Sequence, residues 1–171
     1  MRLDQLTIKA QEAVLEAQKQ AETKGHQQVE PEHLLLALLN QPEGLVRSLL
    51  QKLEVNLGHL KERLEAELKK IPVVSPQQGN VYVSFSLKKL FDQARVEAEK
   101  LKDDFISTEH FLLSLMEVRE SSASQILREI GVSKETLLKA LQQVRGTHRV
   151  TDQSPEEKYQ ALIRYGRDLT D

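Results

Sequence analysis

Shifting the 171-residue sequence against itself by 77 positions lays residues 7–68 on residues 84–145 without a gap. Of those 62 pairs, 13 are identical. The strongest block sets Val29-Glu-Pro-Glu-His-Leu-Leu-Leu-Ala-Leu38 on Ile106-Ser-Thr-Glu-His-Phe-Leu-Leu-Ser-Leu115. Beyond it Leu50, Val55, Leu60 and Leu64 fall on Leu127, Val132, Leu137 and Leu141, while Ala17, Ala21 and Glu22 fall on Ala94, Ala98 and Glu99. The apolar matches keep helical spacing, which two unrelated Leu-rich segments rarely do over such a length. The chain is a tandem duplication.

Each copy reads as four helices. Leu3, Leu6, Ala10, Val14, Ala17 and Ala21 step by three and four and draw one apolar stripe, ending at Lys24-Gly25, where glycine suits a C-terminal cap. Pro31 stands where a first helical residue belongs, and Ser107 holds the matching N-cap position in the second copy. His33 to Leu39 is almost wholly apolar and predicts a short buried helix. Leu45 to Leu53 and Leu57 to Leu68 complete the copy, and Leu87 to Leu101, His110 to Met116, Ala123 to Ile130 and Lys134 to Val144 repeat it. The expected architecture is all-α: two four-helix repeats, residues 1–70 and 84–145, related by a pseudo-twofold axis. A copy of this size makes a marginal core alone, so the two should share an apolar seam as one folding unit, residues 1–145. Residues 71–83, with two Pro, a Gly-Asn pair and a β-branched run, predict a linker packed back on the lobes in partly extended form. Residues 146–171 read as a connector, with a short helix opening at Pro155 and running to Tyr165, leading to a further domain.

Composition narrows the partners. Lys and Arg number 24 against 26 Asp and Glu, so no summed field holds nucleic acid or an anionic membrane. There is no cysteine, hence no disulfide frame, thiolate metal site or cysteine nucleophile, which fits the cytoplasm. Residues 1–11 carry charge and Gln where a signal peptide needs an apolar stretch, and no apolar run reaches spanning length.

Catalytic patterns are few. No glycine-rich phosphate loop with Lys and no Gly-x-Ser-x-Gly elbow occurs. The pairs Glu32-His33 and Glu109-His110 lack the second His that a zincin helix places four residues on, and both His residues are expected to be satisfied within the fold. His26, His59 and His148 form no evident cluster. Thr7 and Ser84 suit helix caps, and Asp103, Asp104 and Glu109 suit the positive end of a helix. The same carboxylates could instead rim a surface for an extended polypeptide. The second copy is bulkier, with Phe85, Phe91, Phe105 and Phe111 where the first has Ile8, Val14, Gln28 and Leu34. Bulk of this kind fills the seam or, with Leu87, lines a shallow apolar groove that binds unfolded chains weakly.

The paired blocks, the opening Met-Arg-Leu-Asp-Gln-Leu-Thr7 and the tail Pro155-Glu-Glu-Lys-Tyr-Gln-Ala-Leu-Ile-Arg-Tyr-Gly-Arg-Asp-Leu-Thr170 resemble the N-terminal domain of the Clp family of AAA+ chaperones. The opening and tail are more similar to the ClpB-type disaggregase branch than to the ClpC branch. The resemblance covers the whole chain and implies a non-catalytic domain tethered to an ATPase ring. It implies first contact with unfolded or aggregated proteins, and binding residues at Thr7, Asp103 and Glu109. With the apolar groove, the candidate binding set is Thr7, Asp103, Glu109, Phe85, Leu87, Phe91 and Phe111. The resemblance further implies a full-length homohexamer cooperating with a DnaK-type chaperone system, with ATP and Mg in ATPase domains absent here. This segment itself is expected to be a monomer with no cofactor and no metal. The alternative function is docking of a folded adaptor protein. A hydrolase built on a His-carboxylate site is a remote third reading.

Overall fold

The computed structural model describes residues 3–74, 81–146 and 148–155. A 3₁₀ turn, Leu3–Gln5, precedes α1 (Ile8–Thr23), β1 (Gln28–Val29), α2 (Pro31–Asn40), α3 (Leu45–Lys52) and α4 (Leu57–Lys69). The second copy brings β2 (Tyr82–Val83), α5 (Phe85–Lys100), α6 (Thr108–Leu115), α7 (Ser122–Glu129) and α8 (Lys134–Arg145). The starts of α5, α6, α7 and α8 lie 77 residues after those of α1, α2, α3 and α4, so the offset in the sequence is also the offset of the elements. Of the helix expected from Pro155 to Tyr165 only Pro155 is described, and it is buried and helical; the rest lies outside the described residues.

Local chemistry explains the boundaries. Thr7 Oγ1 accepts from Ala10 N–H at 3.2 Å and Ser84 Oγ from Leu87 N–H at 3.0 Å, and these caps open the two long helices. The apolar stripe therefore does not run through one helix from Leu3: the cap at Thr7 sets the chain before it apart, and Leu3 is 48% exposed. The buried face of α1 is Ala10, Ala13, Ala17 and Ala21, with Val14 at its edge, a small turn from the expected stripe. Both long helices leave through a left-handed residue, Gly25 (φ 75°) and its counterpart Lys102 (φ 59°). The lobe's third helix leaves through Glu54 (φ 63°) and its counterpart Gly131 (φ 96°). Glycine takes this conformation freely and a side chain does not.

The two copies interlock. α3 packs on α6 and α8, and in mirror fashion α7 packs on α2 and α4; likewise α1 touches α6 while α5 touches α2. Such reciprocal pairing is what a twofold arrangement requires. The same exchange holds in the short strands: β1 pairs in parallel with β2 through Val29 and Val83, and Leu6 bridges Ile106 in parallel, each residue 77 from its counterpart. At its described ends the linker segment packs back on the first copy, with Val74 N–H on Gly25 O at 2.9 Å and Tyr82 N–H on Gln27 O at 3.0 Å. Leu34, Leu35, Leu38 and Leu39 of α2 and Phe111, Leu112 and Leu115 of α6 lie at the centre of one shared core. Sharing one core lets both copies bury apolar surface together, each Å² removed from water contributing about 25 cal/mol.

Candidate functional site

Asp103 and Glu109 share Arg145 at the end of α8, Thr7 bonds the chain at Ile106 between them in sequence, and all three side chains are buried. Thr7 N–H donates to Ile106 O at 2.9 Å, as Ser84 N–H does to Val29 O at 3.0 Å in the other copy. Asp103 Oδ2 accepts from His110 Nε2 at 2.7 Å, and Oδ1 accepts from Arg145 Nη2 and from Val150 N–H at 2.9 Å. Burial works to raise the Asp103 carboxyl, but hydrogen bonds from His110, Arg145 and Val150, with the Arg145 charge, outweigh it and hold the group below the usual aspartate value. Glu109 accepts from Ser107 Oγ, and its other oxygen lies 3.8 Å from Arg145 Nη1.

The two histidines of the repeat block are tied into capping boxes. His33 Nδ1 accepts from Glu30 N–H at 2.9 Å and His110 Nδ1 from Ser107 N–H at 2.8 Å, leaving each Nε2–H to donate. His110 donates to Asp103, whereas His33 Nε2 faces His26 Nδ1 at 2.8 Å. His26 is therefore not isolated: it is 3% exposed and part of a buried pair. The register reveals the relation, since His26 and Asp103 are 77 residues apart, although neither local pattern nor polarity singles His26 out. Burial, then the charges of His26 and Lys24, pushes His33 down to about 4. Among the described residues no three His, Asp or Glu groups come together to hold a metal ion. The His110–Asp103 pair is sealed from solvent at both side chains.

Glu32 crosses between the copies. Its Oε2 accepts from Ala123 N–H at 3.0 Å in the first turn of α7, a place favourable to a carboxylate. Burial nevertheless pushes its pKa up to about 7. It sits in a polar cleft of about 520 Å³ that also includes Glu30, Glu67, Lys70 and Glu120.

The apolar candidates lie elsewhere. Val14, Ala17 and Gln18 of α1 and Leu87 and Phe91 of α5 wall a furrow over Val29 and Leu34, with Val81 and Val83 beside them. Its volume is about 80 Å³ and it opens to solvent, on the scale of a single small apolar side chain. Phe91 stacks at a tilt on Phe111, ring centres 5.7 Å apart, and Phe111 is wholly inside. Phe85 is 75% exposed, with Lys89 Nζ 5.7 Å from its ring centre, and Tyr82 is 68% exposed. The seven candidates thus form no single acid-rimmed groove. Leu87 and Phe91 line the furrow, Phe85 stands exposed one residue from its cap, Phe111 belongs to the core, Asp103 and Glu109 are buried around Arg145, and Thr7 is the buried cap of α1.

The model of the Clp repeat N-terminal domain matches residues 5–130. The chain belongs to the Clp N-terminal domain family. It is 44% identical to the chaperone protein ClpB of Bacillus cereus over 172 aligned positions, covering 99% of this chain and 20% of that protein. The chain thus spans about a fifth of the relative's length. In fold it resembles the Hsp104 N-terminal domain from Candida albicans, with a TM-score of 0.78 at 22% identity, covering 88% of this chain and 98% of the other. It also resembles the ClpV N-domain solved in complex with a VipB peptide, with a TM-score of 0.65 at 18% identity, covering 82% and 86% of the two chains. No helix among the described residues is long and apolar enough to cross a membrane.

Proposed function

We propose that this Clp N-terminal domain is the client-recognition module of a ClpB-type disaggregase, catching exposed apolar segments of unfolded or aggregated proteins in the furrow between α1 and α5. The observation that carries the reading is the furrow itself. It is apolar, walled by Val14, Val83, Leu87 and Phe91, and small enough for one side chain to fill. A site of that size binds weakly, which suits a domain that must release its client onward. Capture of a VipB peptide by a ClpV N-domain of the same fold supports a protein-binding role. The domain itself catalyses nothing in this reading and needs no cofactor. ATP and Mg would act in ATPase domains of a cytoplasmic homohexamer, to which residues 146–171 lead and which works beside a DnaK-type system.

The test is titration of the chain with a reduced, carboxymethylated polypeptide that cannot fold, followed by NMR. Shifts confined to Val14, Val83, Leu87 and Phe91 support client capture. Docking of a folded adaptor instead predicts no localised response to the unfolded probe. In the full-length protein, deletion of residues 1–145 should impair aggregate processing more than ATP turnover; equal loss of both refutes the reading.

A further inference from the structure

The chain leaving α8 is fastened back onto the domain. Val150 is wholly buried; its N–H donates to Asp103 Oδ1 at 2.9 Å, and its carbonyl accepts from Asp104 N–H at 2.8 Å. Three residues later Gln153 O accepts from Ile8 N–H at 2.8 Å, one of the donors that an α-helix start leaves without a partner of its own. The Gln153 side-chain amide adds donors at 3.3 Å from Asp4 O and 3.4 Å from Leu6 O. Residues 148–153 therefore form a strap over the start of α1, pinned to Asp103 at one end and to Ile8 at the other.

The duplication supplies an internal comparison. His26 occupies the first copy's counterpart of Asp103, and Leu68 that of Arg145. The first copy builds the same helix, the same capping box and the same buried His with a His–His contact in place of a carboxylate and a guanidinium. The charged hub is thus not a requirement of the fold. Burying an Asp and an Arg is costly and is sustained only where each is well hydrogen-bonded. Here the carboxylate is 0% and the guanidinium residue 5% exposed, and one of the three donors on Asp103 comes from the strap.

We infer that Asp103 is the positioning residue of a latch that holds residues 148–153 against the start of α1, so that any chain following Gln153 leaves the domain from one fixed point. Glu109, 3.8 Å from Arg145, then supports the latch through that guanidinium. This is independent of the furrow. Releasing the latch frees residues 148–153 and lengthens the path to whatever follows by about 20 Å at full extension.

The amide protons of Ile8 and Asp104 report the latch directly, because strap carbonyls accept from both. Their exchange with solvent is measured by NMR in the native chain, in Asp103→Ala and in Val150→Pro. The second variant removes the strap's donor and leaves Asp103, His110 and Arg145 unaltered. Each variant should accelerate exchange at Ile8 and Asp104 at least tenfold while the amides of Leu64 in α4 and Leu112 in α6 keep their rates. Unchanged rates at Ile8 and Asp104 in either variant overturn the inference. So does equal acceleration at all four positions, which makes Asp103 a general stabiliser of the fold.

Discussion

Replacing Glu32 by Gln should reveal a pH dependence of stability that the native chain hides. Burial pushes Glu32 from its ordinary 4.5 up to about 7 and the adjacent His33 from its ordinary 6.5 down to about 4. Between pH 4.5 and 6.5 the folded chain then carries a protonated Glu32 and a neutral His33. The unfolded chain carries the reverse, an ionised Glu and a protonated His. Each state holds one proton on the pair, so the pair contributes almost no slope. His26, lowered by burial and by Lys24, tilts the native curve gently toward lower stability in acid.

In Glu32→Gln the compensation is lost. The unfolded state now binds one proton more than the folded state, and stability falls as pH is lowered, by roughly 1.4 kcal/mol per pH unit or about 3 kcal/mol across the window. His33→Gln does the opposite: Glu32 with its raised pKa contributes fully below pH 4.5, and that contribution drains away as pH rises through about 7. Above that pH, Glu32→Gln should be more stable than the native chain by at most about 3 kcal/mol, because the amide still accepts from Ala123 N–H without a buried charge. Urea unfolding at pH 4.5, 5.5, 6.5 and 8 at constant ionic strength measures all three curves. Parallel pH curves for the native chain and both variants refute the opposed titrations.

Phe111→Ala removes a ring with no exposed surface and its contact with Phe91, and should cost about 3–5 kcal/mol in urea unfolding with the denaturant slope unchanged. Thr7→Ala and Ser84→Ala each delete one cap bond at equivalent sites and should cost about 1 kcal/mol apiece, the double variant showing their sum. Gly131→Ala meets no atom within 4 Å and should lose about 1 kcal/mol through its positive φ alone, whereas Gly25→Ala also drives a methyl to 2.8 Å from Val73 Cγ1 and should lose more in thermal unfolding. The Arg63–Glu129 pair joins the copies at the surface and should show under about 1 kcal/mol of coupling in a double-mutant cycle, vanishing in high salt.

Much of this architecture is legible before folding. The offset of 77 locates four pairs of helix starts because caps, proline positions and apolar spacing act over a few residues and survive duplication. The candidate site is less so. Phe85 and Phe91 look alike as second-copy bulk, yet one is largely in solvent and the other against Phe111, and only the crossing of α5 over the core separates them. His26 looks like a loop residue because its partner is seven positions away across a helix start.

From the residue order alone come the duplication, the helices and most of their ends, though not the start of α1, since hydrogen bonding within a turn depends on near neighbours. Tertiary packing decides which face of α1 is buried, that Glu32 reaches the other copy, and that Asp103 joins His110, Arg145 and Val150 in one place. Those last contacts span up to 47 residues. A carboxylate's environment depends on which distant groups arrive around it as the core closes, and no local pattern carries that information.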